Sequence, residues 1–172
     1  MKKRIWIVLI SIILVMSLFH IPFSKALVFY QGQPQKLLAY LPLQDGDTFQ
    51  IIFTHSIHLS DVVEKYRVTT EDEIQQYEMV YEQYGIGMPS NAENEEVFVY
   101  ENGKYHIKNM HRVFPVIKLR NGKTVSKHRL IWGENAEHQV FFNDYFSPGE
   151  YLTIQVSHLS LWERWKGVKI HD

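Results

Sequence analysis

Apolar residues follow two regimes along the chain. Residues 5–19 are apolar at every position except Ser11 and Ser17, with no polar face at any period. From residue 27 onward, apolar and polar residues alternate in short runs, the period of a half-buried strand. In Thr48–His55, the side chains of Phe49, Ile51, Phe53 and His55 share a face; in Ile74–Gln83, Tyr77, Met79 and Tyr81 oppose Gln76, Glu78 and Glu82. Asx-Gly pairs separate the runs. Leu37–Leu43 reaches Asp45-Gly46 before Thr48–His55, Val97–Tyr100 reaches Asn102-Gly103 before Lys104–Lys108, and Val113–Arg120 reaches Asn121-Gly122 before Lys123–Trp132. A type I′ turn needs positive φ at both central residues, so these pairs predict hairpins. Ser147-Pro148-Gly149-Glu150 suits a type II turn joining Gln139–Phe146 to Tyr151–Ser157. The pattern predicts an all-β fold of about ten strands, an antiparallel sandwich or flattened barrel. Ser160 is placed to cap a short C-terminal helix through Leu161, Trp162 and Trp165 that stops at Gly167.

The first 26 residues read as an export leader. Lys2, Lys3 and Arg4 precede the apolar run, and Ser24-Lys25-Ala26 approaches the small-x-small pattern of a cleavage site. Helix over residues 5–19 rises about 22 Å at ~1.5 Å per residue, short of a hydrocarbon core of roughly 30 Å. His20-Ile21-Pro22-Phe23 would lengthen it. Two readings stand: a signal peptide cut near Ala26, or a retained transmembrane anchor. Both deliver residues 27–172, as a single domain, to the extracytoplasmic side of the cell membrane.

Composition narrows the function. The 172 residues are 45% hydrophobic and 22% charged, enough to form a core. The absence of cysteine excludes disulfides, thiolate metal sites and a cysteine nucleophile. Once Lys2, Lys3, Arg4 and Lys25 are set aside with the leader, the body is net acidic, which argues against nucleic acid as a partner. Charge is also segregated: residues 71–101 hold nine acids and no Lys or Arg, and residues 102–133 hold eight Lys or Arg and no acid. Cross-strand pairing within one sheet explains this, as does a basic face for an anionic ligand or lipid headgroups.

Candidate chemistry concentrates in His55-Ser56-Ile57-His58-Leu59-Ser60-Asp61-Val62-Val63-Glu64. Imidazoles and carboxylates suit a divalent metal, but His55 and His58 converge only if the chain turns between them. Ser56 would need an imidazole and a carboxylate in contact to act as a nucleophile. The plainer reading is a turn with His55 and Glu64 hydrogen-bonded across a hairpin. Gly85 and Gly87, followed by Met88-Pro89, lack the third glycine and the helix of a dinucleotide loop and predict a bend that offers backbone amides to a ligand. Arg129 supplies a cation for a carboxylate. In an antiparallel meander 48–55, 62–69, 74–83, the end of the first strand and the end of the third share one edge. His55, Ser56, Glu64, Gly85, Gly87, Met88 and Arg129 are therefore the candidate binding residues, for a small anion or carboxylate. Trp162, Arg164, Trp165 and Lys166 fit either a membrane-interface anchor or a helix covering one end of the sheet.

An export leader, Phe53-Thr54-His55-Ser56-Ile57-His58 leading to Val63-Glu64-Lys65-Tyr66, then Tyr84-Gly85-Ile86-Gly87-Met88-Pro89, and later His128-Arg129-Leu130 resemble a family of small exported bacterial proteins, the domain of unknown function number 1850. The resemblance spans roughly residues 27–156 and carries no established catalytic or binding residues. Members are often encoded beside the membrane subunits of TAXI-type tripartite (TRAP) transporters, which implies an accessory role in solute uptake. The expectation is a non-enzymatic accessory or ligand-binding module with no assigned cofactor or metal. The competing classes are an extracytoplasmic hydrolase or metal-dependent enzyme using the His55–Glu64 cluster, and a purely structural envelope protein.

Overall fold

The computed structural model describes residues 2–32, 35–84 and 87–172. It opens with an N-terminal helix, α1 (Lys2–Phe19), followed by β1 (Ser24–Gln31), β2 (Lys36–Pro42), β3 (Thr48–Thr54), β4 (Asp61–Val68) and β5 (Ile74–Tyr81). Then come β6 (Val97–Glu101), β7 (Lys104–Phe114), β8 (Ile117–Arg120), β9 (Arg129–Trp132) and β10 (His138–Phe141). The chain closes with β11 (Tyr151–Leu159), α2 (Leu161–Lys166) and β12 (Val168–Lys169). The strands form two sheets, ordered β12-β2-β1-β11-β8 and β10-β9-β3-β4-β5-β7-β6, antiparallel throughout except for the β12–β2 pair. The expected sandwich forms and the barrel alternative does not, because the sheets remain separate.

The main core lies between the sheets. Leu27, Phe29, Leu41 and Ile154 from the first meet Phe49, Ile51, Tyr66 and Leu130 from the second. β1 is buried on both faces: Leu27 and Phe29 point into this core, while Ala26 and Val28 join Tyr40 and Leu159 in a smaller cluster on the reverse side. α2 packs over that reverse face, and a β-carbon on Gly167 would come 2.8 Å from the Leu37 side chain. The predicted cap is present, with Ser160 Oγ accepting from Glu163 N and the Glu163 carboxylate accepting from Ser160 N. Gly167 has negative φ, so close packing rather than a left-handed turn favours glycine there. A third cluster (Val62, Met79, Tyr81, Ile107 and Met110) draws nothing from the five-stranded sheet and is covered partly by Met88.

Several expected connections are corrected. Asn102-Gly103 makes a hairpin, with φ of 51° and 78°. Asp45-Gly46 and Asn121-Gly122 instead carry the chain from one sheet to the other, as does the turn at 147–150. The expected strand Val113–Arg120 is split at Pro115, which has no N–H for a ladder, so its halves β7 and β8 join different sheets. β1 itself begins at Ser24, taking up three residues that the sequence pattern grouped with the leader. Of the two readings of the leader, the transmembrane anchor is corrected: no helix among the described residues is long and apolar enough to cross a membrane.

Asn121 holds one of these crossings. It is 1% exposed and donates from Nδ2 to Asn143 Oδ1 at 2.8 Å and to the Phe146 and Ser147 carbonyls at 3.2 Å. Its own N–H and C=O are bonded to Glu150 and Gly149. Asn121→Ala is expected to lower stability by about 1–3 kcal/mol, because it removes these bonds and strands the buried Phe146 carbonyl. Urea unfolding with an unchanged slope and an earlier midpoint is the expected result.

Candidate functional site

The pleat of β4 divides the residues that the sequence grouped. Val62, Tyr66 and Val68 are buried in the clusters on one face of the seven-stranded sheet, and Glu64 shares their parity. Asp61, three residues before Glu64, points to the other face. There Thr54 Oγ1 donates to Asp61 Oδ1 at 2.9 Å, and Arg129 Nη2 forms an ion pair with Asp61 Oδ2 at 2.7 Å. Desolvation pushes the Asp61 carboxyl up, but Arg129 and Thr54 outweigh it and hold its pKa below the usual carboxylate value. The charge of Arg129 is therefore engaged within the sheet.

His55 and Ser56 sit in the β3–β4 connection. Residues 55–60 close on themselves through His55 N to Ser60 O at 2.8 Å and Leu59 N to His55 O at 2.9 Å, with Leu59 at φ 56°. That turn does bring the two imidazoles together, stacked with centroids 4.7 Å apart. His55 Nδ1 accepts from the amides of Ile57 and His58 at 3.3 Å, so the ring organises its own turn rather than bonding to Glu64. Among the described residues no group of three or more His, Asp or Glu is arranged to hold a metal ion, and Ser56 makes no side-chain hydrogen bond with either imidazole. Gly87 is left-handed, at φ 84°. Met88 packs on the same cluster as Phe53, and Tyr81 Oη donates to the Pro89 carbonyl at 2.5 Å, fastening the segment to β5. Gly85 lies outside the described residues.

Glu64 belongs to a different place: a pocket of about 390 Å³ between the inner face of the seven-stranded sheet and β8. Ile51, Phe53, Phe114, Val116, Ile117 and Leu119 make its apolar walls. Glu64, Tyr66, Gln76 and His128 provide its polar groups, and Lys118 its exposed cation. His55, Ser56, Gly87, Met88 and Arg129 do not line it. Tyr66 stacks on Phe49 at 5.3 Å and donates to Glu64 Oε2 at 2.9 Å. Burial pushes the Glu64 carboxyl up, opposed by that hydrogen bond, and pushes the Tyr66 hydroxyl well above its ordinary value, aided by the Glu64 charge. His128 lies between Phe53 and Phe142, with centroids at 5.8 and 5.5 Å, and its Nδ1 accepts from Gly122 N at 3.2 Å. That bond assigns the ring proton to Nε2, and burial lowers the imidazole pKa, favouring the neutral ring. Gln76 is 5% exposed and makes no side-chain hydrogen bond among the described residues.

Gln76 is the residue that sequence reasoning turned the wrong way. β5 carries a bulge at Tyr77: Tyr66 pairs with Gln76, but Lys65 pairs with Glu78. The extra residue resets the alternation, so Gln76 joins Met79 and Tyr81 on the inner face. Tyr77 is freed to the outside, where Arg67 lies 5.2 Å from its ring centroid. A larger cleft of about 450 Å³ lies near Pro42, Asp47, Trp132 and Glu137, but its acids are exposed and it contains no buried polar side chain.

Residues 49–138, just over half of the chain, match the family model for a domain of unknown function (DUF1850), and the chain belongs to this family. The match begins in β3 and ends at the first residue of β10, so it covers the seven-stranded sheet apart from most of that edge strand, together with β8. Every residue lining the inter-sheet pocket falls within it. No curated protein and no solved structure matches the chain.

Because burial raises the Glu64 pKa, the folded chain holds that proton more tightly than the unfolded chain. The contribution of this group to stability is therefore most favourable below the unfolded value of about 4.3 and declines as pH rises above it. Glu64→Gln removes the titration while keeping an acceptor for Tyr66. The stability of E64Q relative to the parent chain is expected to rise between about pH 4 and pH 7. A relative stability that falls over this interval would contradict the assignment.

Proposed function

We propose that the chain is an exported, non-enzymatic module that binds a small carboxylic acid with an apolar body in the pocket between its sheets. In this reading it works beside the membrane subunits of a tripartite solute transporter. The observation that carries it is the hydrogen-bonding capacity left open in an apolar pocket. The Gln76 amide, Nε2 of a neutral His128 and the second oxygen of Glu64 surround a space of about 390 Å³, with Lys118 exposed beside it. These polar atoms reach the pocket rather than being sealed away from it, so a ligand of matching chemistry can meet them directly. The apolar walls favour the body of the ligand and Lys118 its carboxylate. A protonated Glu64 would donate to that carboxylate instead of repelling it.

Location follows from the leader, and the start of β1 supports a leader that stays attached, with the exposed apolar side chains of α1 holding it at the membrane without crossing it. A cut after Ala26 would remove Ser24–Ala26 from a ladder in which Ala26 is 1% exposed and pairs with both Ser157 and Pro42. It would also remove Lys25, whose Nζ lies 2.5 Å from both Asp45 and Asp72. Full-length chain expressed in a bacterium that carries the transporter, tagged at its C-terminus and purified from membranes, is expected to have its uncut mass and to bring transporter membrane subunits with it. A mass corresponding to residues 27–172 overturns retention, and purification without those subunits overturns the partnership.

Ligand binding is tested by thermal unfolding against a panel of short aliphatic and aromatic carboxylic acids and amino acids. A ligand at 100 times its Kd adds about 2.7 kcal/mol to stability, so a saturable rise in Tm is expected for at least one apolar acid. His128→Ala and Gln76→Leu should weaken that ligand by about tenfold each, roughly 1.4 kcal/mol. A panel that leaves Tm unchanged, or a rise that both variants retain in full, overturns the pocket as the site.

A further inference from the structure

The C-terminal helix brings a second aromatic and cationic group beside the end of α1. The ring centroids of His20, just past α1, and Trp162 on α2 are 6.0 Å apart. The Arg164 guanidinium lies 6.0 Å from the Phe23 ring centroid, and Phe23 N donates to the Leu159 carbonyl at 3.2 Å. Trp162 stacks on Trp165 at 5.2 Å, and Lys166 Nζ lies 4.5 Å from the Trp162 centroid. These groups have no core to cover on their outer side: Trp165 is 74% exposed, and Phe23, Ile21 and Leu161 are exposed as well. Leu161 and Trp165 stand four residues apart, on one face of α2. Neither Arg164 nor Lys166 is paired with a carboxylate among the described residues, and Arg164 Nε is buried without a hydrogen-bond partner.

From this arrangement we propose that the α2 face and the residues 20–23 rest on the surface of an anionic lipid bilayer. Two features select lipid over a protein partner. The patch is continuous with α1, most of whose described side chains between Ile5 and Phe19 are large, apolar and exposed, Trp6, Ile10, Ile13 and Leu14 among them. Its composition, Trp and Phe beside Arg and Lys, also matches the interfacial zone, where amphipathic rings lie at headgroup depth and cations meet phosphate. The belt fixes the orientation of the body on the membrane, whereas α1 alone would leave it free to tilt. The proposal rests on the membrane location given above, and its test separates the two.

The chain has no cysteine, so Leu161→Cys and, as a control, Tyr100→Cys on β6 each accept one environment-sensitive fluorophore. Both full-length variants are reconstituted into vesicles of phosphatidylcholine and phosphatidylglycerol at about 3:1, and flotation reports whether the chain is bound. The Leu161→Cys label is expected to shift to the blue on binding and the Tyr100→Cys label to stay at its value in water. Adding Trp165→Ala and Lys166→Glu should abolish the Leu161→Cys shift while the chain still floats. A bound chain with a water-exposed Leu161→Cys label overturns the belt alone. A chain that does not float overturns the membrane location and the belt together. A blue shift that appears in detergent and grows with protein concentration assigns the face to a second copy of the chain and overturns the lipid proposal.

Discussion

The fold depends on a strand that has no solvent side. β1 lies between β2 and β11, with Leu27 and Phe29 turned into the inter-sheet core and Ala26 and Val28 turned beneath α2. Such a strand must be apolar at successive positions, and it requires both the opposing sheet and the C-terminal helix to exist. Two distant parts of the chain, residues 24–42 and 151–169, therefore have to meet before either is stable. The seven-stranded sheet is closer to self-sufficient in sequence, since most of its ladder joins near neighbours, and this is the portion that the family match covers.

The inter-sheet pocket follows from incomplete coverage. β8 has four residues and is the edge of its sheet, facing a broader sheet behind it. Apolar residues close most of the interval, while Glu64, Gln76 and His128 remain as polar groups on a face that is otherwise core. Each is held by a separate local device: Glu64 by the Tyr66 hydroxyl, His128 by Gly122 N–H and two phenyl rings, Gln76 by a bulge. Such separate supports for one small region favour a binding site over a packing defect, because a defect is relieved more simply by one larger apolar side chain.

The legible parts of the sequence were those governed by local rules. The 48–83 meander, the Asn102-Gly103 hairpin and the Ser160 cap each depend on residues within one turn or strand, and each is present. Sheet membership was not legible, because Asp45-Gly46 and Asn121-Gly122 have the chemistry of hairpin turns whether the next strand pairs back or crosses over. The site was partly legible. Phe53, Glu64, Tyr66 and His128 all stood in the motifs behind the family resemblance, yet parity arguments failed across the β5 bulge, which nothing in Gln75-Gln76-Tyr77-Glu78 announces. Grouping Arg129 with Glu64 failed for a simpler reason. Adjacency of His128 and Arg129 implies opposite faces, and His128 is the one that turns inward.

The charge segregation has a topological consequence. β7 carries the cations and lies between two acidic neighbours: Lys104 pairs with Glu82 after β5 and His106 with Glu78 within it, while Lys108 meets Glu101 on β6 and Arg112 meets Glu96 just before it. Individually such exposed pairs are worth about 1 kcal/mol or less. Collectively they discriminate between arrangements. If β6 packed directly on β5, in chain order, Glu78 and Glu82 would share one seam with Glu96 and Glu101; with β7 inserted, each of these acids faces Lys104, His106, Lys108 or Arg112 instead. The thirty residues of one sign followed by thirty of the other thus act as an address label for a strand, directing the last of three to the middle place.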